Sequence, residues 1–202
     1  MTGVFVAVEG IDRSGKTTLT ASLARSLRQR GLTVRERTEP SRGPVGQLFR
    51  EMSSGQISPM SAALLSAADR HDQQDPLARD LAAADVVISD RYYLSGLAYH
   101  LVDGVPTTFY RSLNTSVRRP DLYLYLVIDW DVAQRRRGRH DGRWEEPSFA
   151  TRVPRGYDVC ARELATLEHA RLARIDAARP AAAVQHDALA AIASALPERN
   201  AA

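Results

Sequence analysis

The stretch from Val4 to Thr18, VFVAVEGIDRSGKTT, carries residue types that bind phosphate. Its frame is G-x-x-x-x-G-K-T, in which an apolar strand stops, successive backbone amides turn inward, and a helix begins above an anion. Gly10 and Gly15 permit torsions and close approach that a Cβ would block, and the helix start directs N–H groups and its positive dipole end at the same point. Lys16 is placed to reach β- and γ-phosphates, and the Thr17 hydroxyl to take a position on Mg²⁺. The donor-phosphate set is therefore Gly10, Asp12, Arg13, Ser14, Gly15, Lys16, Thr17 and Thr18.

Of 27 lysines and arginines, Lys16 is the only lysine. A compact ammonium and a planar guanidinium do not substitute for one another against a nucleotide phosphate, so the exception falls where the chemistry demands it. The same count removes a regulatory GTPase, which needs a second lysine in its Asn-Lys-x-Asp guanine reader.

The elements that must position this loop follow from pattern. A chain of 202 residues, 44% hydrophobic, is long enough for one well-buried domain spanning 1–202 and short for two. The net charge of +3 arises from arginines and carboxylates interspersed without a single-sign block, which argues against a nucleic-acid partner. The lone Cys160 excludes an intrachain disulfide and reads as inert packing. The apolar runs are strand length, so the expectation is an intracellular, cytoplasmic protein without a membrane span.

Leu19, Leu23 and Leu27 form one stripe on a helix from about Lys16 to Gln29, and Thr33 to Thr38 reads as a second strand. Pro40, Gly43 and Pro44 then force a turn. Ser58 and Pro59 start a helix whose apolar face is expected at Met60, Ala63, Leu64, Ala67 and Ala68. Val86 to Ser89 and Leu122 to Ile128 read as buried strands, Ser95 to Leu101 and Thr107 to Val117 as helices, Phe149 to Ala170 as a long helix interrupted near Pro154 and Gly156. A fifth strand at Ala173 to Ala177 and a helix at Ala181 to Leu196 complete the chain. Strands alternating with helices predict an α/β fold, a five-stranded parallel sheet covered on both faces, with a short arginine-rich lid at about 136–147.

EGIDRSGKTT, the Glu39-Pro40 pair after strand two, Ala68-Asp69-Arg70, Asp90-Arg91-Tyr92 followed by SGLAY at 95–99, and a basic segment ending in RWEE stand in one order along the chain. Together they resemble the thymidylate kinase family and, more broadly, nucleoside monophosphate and deoxynucleoside kinases. The resemblance implies the P-loop NTPase fold, ATP and Mg²⁺, transfer of phosphate to a nucleoside monophosphate, foremost dTMP, and a homodimer. Phosphoryl transfer between two anions needs cations converging from both sides. Lys16, the loop amides and Arg13 are expected on the donor, Arg91 and Arg42 on the acceptor phosphate, and Asp90 with Thr17 on the metal. Asp12 resembles a family carboxylate that meets acceptor sugar or phosphate; Glu9 is read as a buttress. Glu39, Ser66, Arg70, Ser95, Tyr99 and Tyr157 look like acceptor-pocket residues, and Arg135, Arg139 and Arg143 belong to the lid.

Four departures gather on the acceptor side. Ser66 stands where the family usually offers an aromatic ring to the base, Thr38 where arginine is common, Gly96 where a polar residue is common, and His100 where glutamine is common. A different or modified nucleotide, or another phosphorylated metabolite, is therefore an alternative acceptor. A nucleoside kinase with Glu39 as base is a second alternative, against which the acceptor-facing arginines argue. A non-catalytic ATP-binding switch would need no second anion site.

Overall fold

The computed structural model describes residues 2–53, 55, 57–136, 144 and 146–196. Most of the expected lid, with Arg139 and Arg143, lies outside them.

Strand β1, Val4–Gly10, is buried along its whole length and lies at the centre of a five-stranded sheet. Around it are β2 (Val34–Thr38), β3 (Val86–Asp90), β4 (Leu122–Val127) and β5 (Leu172–Asp176), in the order β2-β3-β1-β4-β5 and all parallel. Continuous apolar runs such as VVIS and LYLYL suit strands covered on both faces. The register sets Val8 and Thr38 opposite Asp90, and Gly10 opposite Leu126. The carboxyl ends of the three strands on one side of the switch point thus deliver the phosphate loop, the Glu39 turn and Asp90 to a single edge, where open α/β sheets bind ligands.

Helix α1 (Lys16–Gln29) follows the loop without a break and buries Leu19, Leu23 and Leu27. It packs with α10 (Ala181–Ala193) against the sheet, while α5 (Tyr93–Val102) and α9 (Val153–Leu167) pack together on the other side. Between them in sequence come α2 (Pro44–Ser53), α3 (Pro59–Asp72), α4 (Gln74–Ala83), α6 (Thr107–Ser112), α7 (Trp130–Gln134) and α8 (Pro147–Ala150). The Ser58 hydroxyl accepts from Ser61 N at 3.1 Å with Pro59 next to it, the helix start its sequence announces. None of the described helices is long and apolar enough to cross a membrane.

Two expectations need correction. The inward face of α3 is Ala62, Ala63 and Ala67 with Asp69 and Arg70, whereas Met60 and Leu64 are 43% and 47% exposed. The buried bonds that Asp69 and Arg70 make turn the helix so that its large apolar residues point out. The helix expected to run from Phe149 is split into α8 and α9, and Pro154 occupies the first turn of α9, where no N–H is missed. Gly156 lies inside that helix for another reason: a Cβ there would stand 2.8 Å from Val102 Cγ2 and 3.0 Å from the Ala98 carbonyl of α5. Gly156→Ala should therefore force the two helices apart and lower stability by about 1–3 kcal/mol, measurable as a shift in the urea midpoint.

Candidate active site

The loop between β1 and α1 has three left-handed residues, Gly10 (φ 145°), Arg13 (φ 63°) and Gly15 (φ 98°). At Gly10 a Cβ would meet the Leu126 carbonyl at 2.7 Å, so the strand closes on its neighbour only with glycine. Lys16 is 6% exposed and its Nζ donates to the Ile11 carbonyl at 2.7 Å, which holds the ammonium over the loop. Burial, reinforced by Arg91 and opposed by Asp12 and Asp90, brings this ammonium down to about 8. The Thr17 hydroxyl donates to Asp90 Oδ2 at 2.5 Å, joining the helix start to the end of β3. One hydroxyl and one carboxylate at the mouth of the groove suit Mg²⁺, which takes few protein ligands and fills its shell with water and phosphate oxygens.

Arg13 turns its Nη1 to Gln134 Oε1 at 2.5 Å. Arg135 is exposed on the surface and does not line the groove. The neighbouring Arg136, which sequence reasoning missed, donates to the carbonyls of Arg13 (3.2 Å), Ser14 (3.0 Å) and Ala177 (2.5 Å). It ties the phosphate loop to the turn after β5. Nothing in an arginine-rich run distinguishes it, since its partners are backbone atoms brought from distant segments.

Across the groove stands Arg91, itself left-handed at φ 68° because the chain leaves β3 abruptly. Its Nη2 donates to Asp12 Oδ1, and its Nη1 to the Ser95 and Tyr157 hydroxyls, both at 3.3 Å. The Tyr99 hydroxyl donates to Asp12 Oδ2 at 2.7 Å, and the guanidinium lies 5.3 Å from the Tyr99 ring centroid. Burial pushes the Tyr99 phenol up, which keeps it a donor. Burial would also raise Asp12, but Arg91 and Lys16 outweigh it and hold the carboxyl at about 2. Beneath them Glu9 is completely buried, accepts from Tyr92 N (3.0 Å) and the Ser95 hydroxyl (2.5 Å), and is raised by that burial to about 7. It ties the end of β1 to the start of α5, where the sequence alone suggests a buttress of the loop.

Arg70 is 2% exposed and reaches the wall of a cavity of about 240 Å³ that also includes Glu39, Ser66, Arg91, Ser95 and Tyr99. Its Nε and Nη2 grip Glu39 at 3.0 and 2.5 Å. Its Nη1 donates to the Tyr110 hydroxyl (3.0 Å) and Asn114 Oδ1 (2.7 Å), and its Nη2 also to the Tyr92 carbonyl at 3.4 Å. A guanidinium has five N–H groups, and all five find protein acceptors. Arg70 is the frame of the pocket, with Glu39 as its counter-ion.

Arg42 does not join this cavity. It is exposed and faces a separate recess shared with Thr17, Thr38 and Asp90. The cavity receives Arg50 instead, whose guanidinium donates to the carbonyls of Pro40 (2.8 Å) and Ser41 (2.6 Å). The reversal has a local cause. Asp69 accepts from Ser41 N and the Ser41 hydroxyl at 2.7 and 2.5 Å, pinning the turn so that the next residue points away. Of the remaining site residues, Ser14, Gly15, Thr17 and Thr18 line a groove of about 680 Å³ along the loop, Gly10 is buried at the end of β1, and Tyr157 lies buried behind Arg91.

Two measurements test this electrostatic reading. Arg70→Met leaves the Glu39 carboxylate buried without its partner, and urea denaturation should record a loss of about 3–5 kcal/mol. For Lys16, a folded-state value of about 8 against 10.5 means that the unfolded chain binds more protons between those pH values, so wild-type stability rises with pH across that window. Lys16→Ala should remove that rise and melt no lower than wild type at pH 7 in differential scanning fluorimetry.

Residues 8–188 match the family model for thymidylate kinase. A protein of Pyrobaculum calidifontis described as a probable thymidylate kinase is 37% identical over 94% of this chain and 95% of its own length. One of Pyrobaculum aerophilum, described the same way, is 36% identical over 79% of this chain and 83% of its own. The solved structure of thymidylate kinase from Candida albicans superposes with a TM-score of 0.76, covering 96% of this chain and 92% of that one at 23% identity, a likeness of fold. The glycine-bounded loop and the cavity framed by Arg70 thus stand on one sheet edge of a chain whose residues 8–188 match this model and which is 36–37% identical to these relatives: the chain belongs to the thymidylate kinase family.

Proposed function

We propose that the protein transfers the γ-phosphoryl group of ATP to dTMP, giving dTDP and ADP. One observation carries the reading: Asp12, Glu39 and Arg91 line both the groove of the phosphate loop and the cavity framed by Arg70. Two anions bound in these spaces would meet end to end at Arg91 and Lys16. An acceptor phosphate competes with Asp12 for the Arg91 fork, a charge-assisted exchange that costs the enzyme little because one carboxylate is replaced by another anion. Tyr99 then holds Asp12 in place beside the sugar. On the donor side Lys16 leaves the Ile11 carbonyl for a phosphate oxygen, and the added negative charge raises its affinity for a proton. Mg²⁺, held by Thr17 and Asp90, would neutralise phosphate charge. The protein's contribution is alignment and electrostatic stabilisation, with no covalent intermediate.

A cytoplasmic setting, where ATP is abundant, fits this reading, and so does a second copy of the chain. Leu48 and Met52 on α2 and Met60 and Leu64 on α3 are between 43% and 47% exposed on packed neighbouring helices, an apolar face suited to a homodimer. Light scattering after size exclusion should give twice the 22.3 kDa chain mass. The lid residues Arg135, Arg139 and Arg143 are proposed to add charge near the donor when both nucleotides are bound.

In a coupled assay of ADP release, dTMP should be accepted in preference to dUMP, dCMP and dGMP. Lys16→Ala should lower kcat by about a thousandfold, and Asp90→Asn should raise the Mg²⁺ requirement by about 10- to 100-fold. A panel in which another monophosphate is clearly preferred would overturn dTMP as the acceptor, and the Ser66 site would then be the first place to look.

A further inference from the structure

An acceptor base entering the cavity beyond Arg91 needs a ring to lie on, because base-to-aromatic stacking supplies much of the affinity for a flat heterocycle. Helix α3 offers none. Ser66 faces the cavity with a hydroxyl that donates to the Ala63 carbonyl at 3.0 Å and lies 2.9 Å from both His100 Nε2 and the Tyr110 hydroxyl. It belongs to the wall's hydrogen-bond network.

The other rings of the cavity can be taken in turn. Tyr92 is 4% exposed, lies under the Arg70 guanidinium at 5.1 Å, and donates its hydroxyl to the Arg118 carbonyl. Tyr99 has the Arg91 guanidinium on its face and Asp12 on its hydroxyl. His100 is 2% exposed and lies against the Tyr110 ring with centroids 4.8 Å apart. The two further rings are Phe49 of α2, 6% exposed, and Trp144, which is only partly buried and so presents ring surface to the cavity. Their centroids are 5.4 Å apart at 36°, so they touch and form one wall with no slot between them. Trp144 also meets Tyr99 at 6.0 Å and His100 at 6.3 Å, both edge-on, so the indole spans the cavity from Phe49 to the residue that holds Asp12.

We propose that Trp144, backed by Phe49, provides the face on which the acceptor base stacks. This deepens the proposed function and rests on it. The indole is thereby a specificity-determining residue, and base and phosphate are read by one connected set: Trp144 against Tyr99, Tyr99 on Asp12, Asp12 on Arg91.

The chain contains two tryptophans, Trp130 and Trp144, so in Trp130→Phe the emission reports on Trp144 alone. Titration with dTMP in the absence of ATP should give a saturable change in emission. Trp144→Ala should raise the KM for dTMP roughly five- to a hundredfold and leave the KM for ATP within about twofold, in an enzyme that still melts cooperatively at a lower temperature because the indole's packing is lost, while Trp144→Phe should recover most of the loss of affinity. A Trp144→Ala enzyme with wild-type KM for dTMP, or emission indifferent to dTMP in a variant that phosphorylates it, would overturn the proposal. Should another monophosphate prove to be the acceptor, dTMP falls as substrate while the same comparison on that nucleotide still decides the stacking. A chain that phosphorylates no monophosphate overturns both.

Discussion

A guanidinium removed from water must find an acceptor for each of its N–H groups, and satisfying Arg70 organises everything above the sheet edge. Its partners come from the turn after β2, from the junction of β3 and α5, and from α6 and the residues that follow it. Helix α3 is turned to bring it there, at the expense of exposing Met60 and Leu64. Because Glu39 is the counter-ion and borders both the cavity and the groove, the ion pair that frames the one also fixes where the two join. Losing either partner strands the other in a low-dielectric site, which makes the arrangement all-or-none.

Around that frame the charges are graded rather than merely paired. Asp12, beside two cations, stays ionised at any working pH, whereas Glu9, enclosed and only partly offset by Ser95 and Arg91, titrates near 7. Lys16 is an ammonium whose charge burial and Arg91 penalise more than Asp12, Asp90 and Glu9 compensate. An anion added beside Lys16 would therefore restore its affinity for a proton, which is what the proposed binding of a polyphosphate asks of this position.

Much of this was legible in the sequence. The G-x-x-x-x-G-K-T frame fixed the loop and the first helix to the residue, because glycine torsions and a helix start are local properties. The meeting of Thr17 with Asp90 followed from parallel strands ending on one edge, given their order. Legibility failed where position depends on a long-range bond to a side chain or a carbonyl. Arg42 and Arg50 lie two turns of chain apart, and only the Asp69 clamp on Ser41 decides which enters the cavity. Arg135 and Arg136 are adjacent and identical, and three backbone carbonyls choose between them. Arg70, expected from sequence at a pocket, does line a cavity, yet its saturation by protein acceptors has no signature in the chain. The tilt of α3 was hidden for the same reason, since apolar periodicity favours Met60 and Leu64 inside while two buried charges outvote them.

Gly96 touches the cavity on one side and carries the Tyr110 ring on the other, where a Cβ would come within 2.1 Å of the phenol oxygen. Positions 96 and 110 are consequently locked into joint variation. Any lineage or library that installs a side chain at 96 must first shorten residue 110, and doing so releases a donor of Arg70 and the hydroxyl beside Ser66 together. This wall of the cavity therefore evolves in coupled steps, and single-site scanning of it will read as intolerance where paired exchange finds a path.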